Sequence, residues 1–247
     1  MKPFLHLLTK RSGYYKPAST CQVPELGAKW EAIFGRRRKG FFVEVGAYDG
    51  ESYSNTSCLA DVGWSGLYIE PIREYAERCA YRHRKNRGVG IINCAASDAA
   101  GRLTIFVGDV LTTIIDAQVN DYEKISWASG IHSGETRDVQ AAPLDMILKE
   151  QNVLPEFDLL VVDVEGAEEK VMRGFTLAQW RPRAILIELE DDHPDFQNNA
   201  RVVESVSRVR ALIEHAGYSV YFKDHINSLY VRDSTPVRSE AEPPANW

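Results

Sequence analysis

The sequence predicts an α/β fold on a mostly parallel seven-stranded sheet that ends in an antiparallel hairpin. Two observations lead there. Short apolar runs alternate with helical patterns from residue 41 to residue 213, and such alternation builds a parallel sheet covered by helices. The last two apolar runs, 218–222 and 228–231, are separated only by Lys223 to Asn227. So short a linker allows an antiparallel return, whereas a parallel one needs a crossover. The length, 247 residues with 44% hydrophobic and 26% charged, suits one large domain with short extensions.

Residues 1–38 read as an N-terminal extension. A helix is expected over 25–34, because Leu26, Trp30 and Ile33 recur at helical spacing. Apolar residues here could mediate self-association, so a homo-oligomer stays open. The start, Met1 to Arg11, has an apolar patch at Phe4 to Leu8 but lacks the full apolar region and cleavage site of a signal peptide. The folded domain is expected over 39–233. Its first strand, 41–45, stops at Gly46, and the second, 66–70, stops at Glu70. A long helix over 72–86 is closed by Arg87-Gly88. The third strand is 89–93, and a further strand, 103–107, follows the turn Ala100-Gly101. Pro143 opens a short helix with Leu144, Ile147 and Leu148 on one face. The fourth strand, 157–164, is almost wholly apolar, as a strand buried on both faces must be. Then come a helix from Glu168 to Arg173 closed by Gly174, a fifth strand over 184–189, and a helix faced by Val202, Val206, Val209 and Ile213. Residues 234–247, with Pro236, Pro243 and Pro244, read as a flexible tail.

The formal net charge of −6 argues against nucleic-acid binding through bulk charge. The run Arg36-Arg37-Arg38-Lys39 reads more simply as a solvated edge than as a polyanion site. Four widely spaced cysteines without a CxxC argue against a zinc ribbon or disulfide framework and fit a reducing compartment. No apolar run is long enough to span a membrane. The expected location is cytoplasmic.

Chemistry-bearing residues gather at strand ends, where open α/β sheets bind ligands. The first group is Glu44-Val45-Gly46-Ala47-Tyr48-Asp49-Gly50. Glycines there let a backbone approach a ligand closely; the plain alternative is a tight turn. Glu70 lies 20 residues after Gly50, where an acid can accept hydrogen bonds from both ribose hydroxyls. The glycines do not form GxGxxG, which favours a cofactor without phosphates. Asn93-Cys94-Ala95-Ala96-Ser97-Asp98 could form a flat slot for adenine, with Asp98 or a backbone amide reading its edge.

Asp163 emerges from Leu159-Leu160-Val161-Val162 and is followed by Val164-Glu165-Gly166-Ala167-Glu168. These acids either serve a site or support the next helix electrostatically. Glu188 interrupts an apolar strand, which is costly unless it faces a site. Asp163 and Glu188 should lie side by side, where they could bind a divalent cation, bind a substrate hydroxyl or share a proton. His193, in the acidic loop Glu190-Asp191-Asp192-His193, is either a general base or a bystander. The stretch 108–142, with Tyr122, Trp127 and His132, reads as a lid that stacks on a sugar face or as a surface excursion.

On these residues the chain resembles the FkbM family of methyltransferases over about 40–232. The carriers are Val43 to Gly50, Tyr68-Ile69-Glu70-Pro71, Ala95-Ala96-Ser97-Asp98 with Gly101, and above all Asp158 to Glu168 followed by Val171 and Arg173-Gly174. The resemblance implies a Rossmann-like class I methyltransferase fold, which ends in the hairpin that dehydrogenase-type folds lack. It implies S-adenosylmethionine (SAM) as donor and a hydroxyl acceptor, on a carbohydrate or a glycosylated or polyketide small molecule. It implies that Glu44, Gly46 and Gly50 cradle the methionine part and that Glu70 holds the ribose. Ala47, Asp49, Pro71, Ala95, Ala96, Ser97 and Asp163 complete the expected cofactor set. Related O-methyltransferases hold a metal at strand ends four and five, making Mg²⁺ a candidate at Asp163 and Glu188, although Leu189 replaces a further polar ligand. Asp163 and Glu165 are expected closest to the chemistry, with Glu188 supporting and His193 as candidate base. The alternatives are a nicotinamide-dependent oxidoreductase, against which the missing GxGxxG and the hairpin speak, and a non-catalytic binding protein.

Overall fold

The structure, a computed structural model, describes residues 15–238. The patch Phe4 to Leu8 and the tail beyond 238 lie outside the described residues. The elements in order are α1 (Leu26–Phe34), β1 (Phe41–Val45), α2 (Ser57–Val62), β2 (Ser65–Ile69), α3 (Arg73–His83), β3 (Val89–Ile92), β4 (Ala95–Ser97), β5 (Gly101–Phe106), α4 (Asp116–Tyr122) and β6 (Thr136–Pro143). They continue with α5 (Leu144–Glu150), β7 (Leu159–Val162), α6 (Glu168–Arg173), α7 (Leu177–Trp180), β8 (Ala184–Glu188), α8 (Ala200–His215), β9 (Tyr218–Lys223) and β10 (Asn227–Arg232).

The main sheet has seven strands in the order β3-β2-β1-β7-β8-β10-β9. The first five are mutually parallel, and β10 runs antiparallel to both β8 and β9. This is the expected Rossmann-like sheet with its terminal hairpin. The strand order reverses between β1 and β7, so a crevice opens at their carboxyl ends.

Alternate residues of the central strands pack on opposite faces. Val43, Val45, Leu160, Val162, Ile185 and Ile187 join α5, α6 and α8 in one core. Phe42, Leu159, Val161 and Leu186 meet α1 and α2 in the other. Helix α1 seals that second face: Trp30 is fully buried and its indole N–H donates to the Asn55 carbonyl at 3.0 Å. The basic run divides. Arg37 pairs with Asp158 and lies over the Trp64 ring, while Arg38 and Lys39 are exposed.

A second sheet, β4-β6-β5, sits beside the first. It includes the extra strand expected over 103–107 and also β6, most of which lies in the stretch 108–142 expected as a lid or a surface excursion. The third strand is likewise two strands, because Ala95–Ser97 leaves the main sheet to pair with Ala141–Pro143. Among the described residues no helix is long and apolar enough to cross a membrane, and the four cysteines are free.

Candidate active site

The β1 end is shaped by close packing. Gly46 has φ +86°, and a Cβ there would sit 1.7 Å from the Asp163 carbonyl oxygen. Its glycine is required by the approach of the β7 end. Gly50, at φ +73°, fits against Cys79 and His83 of α3. Asp49 accepts the Glu51 N–H at 2.9 Å and the Ser52 N–H at 2.7 Å, so Asp49 and Gly50 hold the turn. Glu44 is buried, accepting from Ser54 Oγ and the Asn55 N–H, both at 3.1 Å, and from the Thr56 hydroxyl. Burial pushes its carboxyl up to about 7 against those three donors.

Glu70, just past β2, is buried and holds the Tyr48 N–H at 2.9 Å with Oε2 and the Ile72 N–H at 2.7 Å with Oε1. Burial pushes it up to about 7. A carboxylate oxygen accepts two bonds, so each retains capacity toward the cavity it borders.

Two cavities meet at the crevice. The first, about 580 Å³, is lined by Glu70 and Pro71 at one end and by Ala95, Ala96, Ile105 and Ile114 along its walls. Ser97 and Asp98 stand outside this lining, with the Ser97 hydroxyl donating to Asp98 at 3.1 Å. The second, about 1630 Å³, is lined by Glu44, Ala47, Glu188, Glu190, His193 and Trp127 among others. Gly46, Tyr48, Val110, Asp163 and Glu165 border both. Among the described residues, neither lining contains a Lys or Arg.

At that junction carboxylate oxygens of Asp163, Glu165 and Glu188 all lie within 4.8 Å of one another. The register explains the pairing: β7 and β8 are parallel, with Val162 opposite Ile187. Glu165 stands at φ +55°, held by a hydrogen bond from the Tyr122 hydroxyl and by Thr113 Oγ1, which donates to its carbonyl at 2.7 Å. Glu190 accepts from Gln118 Nε2 at 3.1 Å, and burial pushes it up to about 8. Glu168 bends back to the N–H groups of Val164 (3.1 Å) and Gly166 (3.2 Å) and so supports its own helix start.

Glu188 Oε2 is buried without a hydrogen-bond partner. Burial and neighbouring carboxylates push Glu165 and Glu188 well above the ordinary range. Asp163 is also raised by burial, but its contact with Glu188 pulls it back.

His193 reaches the second cavity with its ring 5.5 Å from that of His225. The Asp195 N–H donates to His193 Nδ1 at 3.2 Å, which places the neutral ring's proton on Nε2. Burial lowers its pKa. Of the three 108–142 aromatics, Tyr122 is buried, His132 stacks on it and bonds the Leu111 carbonyl at 3.0 Å, and Trp127 stays 54% exposed at the second cavity. Sequence reasoning missed Tyr48, Gln118 and His225. Tyr48 lies within the Glu44 to Gly50 loop, and no spacing or apolar pattern marks Gln118 or His225.

The Methyltransferase FkbM domain family matches residues 44–220, more than two thirds of the chain. The chain belongs to the FkbM methyltransferase family. It is accordingly a SAM-dependent methyltransferase. Solved structures resemble it at low identity. An O-methyltransferase described as putative from Klebsiella pneumoniae is 12% identical with TM-score 0.47, covering 94% of this chain and 89% of that one. The O-methyltransferase TomG from Streptomyces achromogenes, involved in tomaymycin synthesis and solved with SAM, is 15% identical with TM-score 0.45, covering 85% and 81%. An O-methyltransferase from Bacillus cereus, solved with S-adenosylhomocysteine (SAH), is 15% identical with TM-score 0.44, covering 93% and 79%. No curated protein matches.

The FkbM site fits its donor chemically. The first cavity offers apolar walls, a buried acid with spare acceptor capacity, and Asp163 with Glu165 in its lining. That arrangement suits an adenosine carrying a cation. A diphosphate would meet the acids Glu70, Asp109, Asp163 and Glu165 and, among the described residues, no Lys or Arg in the wall.

Proposed function

We propose that this enzyme is an O-methyltransferase that takes a hydroxyl of a carbohydrate or of a glycosylated or polyketide small molecule through the second cavity. The supporting observation is the junction: Asp163 and Glu165 border both cavities. A hydroxyl entering from the second cavity therefore meets a carboxylate where the donor cavity ends. Bound SAM supplies an electrophilic methyl carbon on a sulfonium, and the products are a methyl ether and SAH. An alkyl hydroxyl is a poor nucleophile and benefits from proton removal as the new C–O bond forms. Asp163 accepts that proton, since it borders both cavities and its contact with Glu188 favours its ionised form. Glu188 and Glu165 hold the acceptor's oxygen in line. His193, with its proton on Nε2, donates a hydrogen bond to the acceptor rather than acting as base. Trp127 offers an exposed ring to a sugar face.

A divalent cation is the second reading of the same trio. Three carboxylate oxygens within 4.8 Å suit one hard cation such as Mg²⁺, while the Leu189 side chain is buried and contributes none. The test incubates the enzyme with SAM and panels of sugars, glycosides and polyketides, with Mg²⁺ or EDTA, and follows SAH release and a gain of one methyl mass. Methyl ethers formed in EDTA support proton removal by Asp163 alone; products only with Mg²⁺ support the cation. Methylation on nitrogen or carbon would contradict the hydroxyl assignment.

A further inference from the structure

We infer that the carboxylates at the cavity junction make this enzyme hold its cationic donor more tightly than its neutral product, with Asp163 and Glu188 as the selecting residues. The inference rests on the reading of the first cavity as the SAM cavity. In-line transfer requires the acceptor oxygen, the methyl carbon and the sulfur to align. An acceptor arriving through the second cavity therefore requires the sulfur to stand at the junction, beside Asp163 and Glu165.

The charge there is one-sided. Glu188, Glu190 and Asp224 line the second cavity behind the junction, and among the described residues no Lys or Arg lines either cavity. The chain supplies donors to two of the acids, from Tyr122 to Glu165 and from Gln118 to Glu190. It supplies none to Glu188 Oε2, which is buried and unpaired. Burial and mutual repulsion oppose ionisation of these crowded acids, and a positive charge held beside Asp163 and the unpaired Glu188 oxygen relieves both. SAM and SAH share the adenosine and the amino-acid part and differ by one methyl and one positive charge. When the methyl leaves, the sulfur becomes neutral and the carboxylates lose their counter-charge. The spent product is then the weaker ligand and leaves.

The test is calorimetric titration of the full chain, in EDTA, with SAM, SAH and sinefungin, an analogue that keeps a positive charge but carries an amine-bearing carbon in place of the methylsulfonium. The wild-type chain should bind SAM and sinefungin at least about tenfold more tightly than SAH. Asp163→Asn and Glu188→Gln should each bring all three within about threefold, by weakening SAM and sinefungin while leaving SAH unchanged. Unchanged SAH affinity also reports an intact cavity. SAH binding as tightly as SAM, sinefungin behaving like SAH, or a gap that survives in both variants would overturn the inference alone. A variant that loses SAH equally overturns the assignment of that residue. Failure of all three ligands to bind the folded wild-type chain would instead overturn the SAM reading beneath it.

Discussion

Two sets of carboxylates stand at the carboxyl ends of one sheet, and their surroundings differ. Glu44 and Glu70 are met by the chain's own donors: Ser54, Asn55 and Thr56 on the first, the Tyr48 and Ile72 amides on the second. Across the crevice, Asp163, Glu165 and Glu188 crowd together, and Glu188 keeps an orphan oxygen. The first set ties strand ends to loops. The second is left incomplete by the fold, as expected where a ligand completes it.

The sharpest way to break that contrast is Asp163→Asn. Turnover should fall by about 10²–10⁴-fold, the usual value of a positioned base, whereas SAM affinity changes far less; steady-state rates beside titration measure both. Unchanged turnover would remove Asp163 from proton transfer. The next largest effect concerns folding. Glu44→Ala strands three buried donors and should cost about 2–3 kcal/mol, lowering Tm by about 5–10 °C. Glu188→Gln should instead raise the ligand-free Tm by about 2–4 °C, because it removes an unpaired buried acid. Equal losses in both variants would erase the distinction.

The pH dependence of stability sharpens the comparison further. Glu44, Glu70 and Glu168 have folded pKa values pushed up to about 7 and Glu190 to about 8. Each binds more protons folded than unfolded, so each favours folding at low pH and loses that contribution as pH rises from near 4.5 through its folded value. His83, lowered to about 4 by burial, works oppositely, but only below its unfolded value near 6.5. Ligand-free Tm should therefore fall between pH 6.5 and 8, and scanning calorimetry across that window checks the sign; a rising Tm would contradict it. The smallest effect is expected at Tyr48, whose hydroxyl reaches Asp109 at 2.5 Å between two loops bordering the first cavity. Tyr48→Phe should weaken SAM binding by about two- to fivefold, the worth of one exposed hydrogen bond.

The fold was legible wherever burial on both faces wrote a continuous apolar run, as in 159–162 and 184–188. Acids at the ends of those runs marked the site for the same reason, since an apolar strand tolerates a carboxylate only where it emerges. The stretch 108–142 was not legible. β6 alternates exposed and half-buried residues over 136–140, because it pairs in a small sheet away from the main core. α4 carries no apolar stripe: its buried residues are Gln118 and Tyr122, which hold Glu190 and Glu165. Gly46 and Gly50, expected either as room for a ligand or as a tight turn, each meet close approach within the chain, and Gly46 also borders both cavities. The placement of Asp163 beside Glu188 followed from sequence, but the missing partner on Glu188 Oε2 needed three dimensions.

The most direct measurement is calorimetric titration of SAM into the wild-type chain and into Glu70→Gln, with circular dichroism to verify that both are folded. The account predicts micromolar binding to the wild type and a loss of at least about tenfold in the variant, the scale of one charged hydrogen-bond pair. No binding to the folded wild type, or equal binding to both chains, would contradict the assignment of the first cavity to the methyl donor.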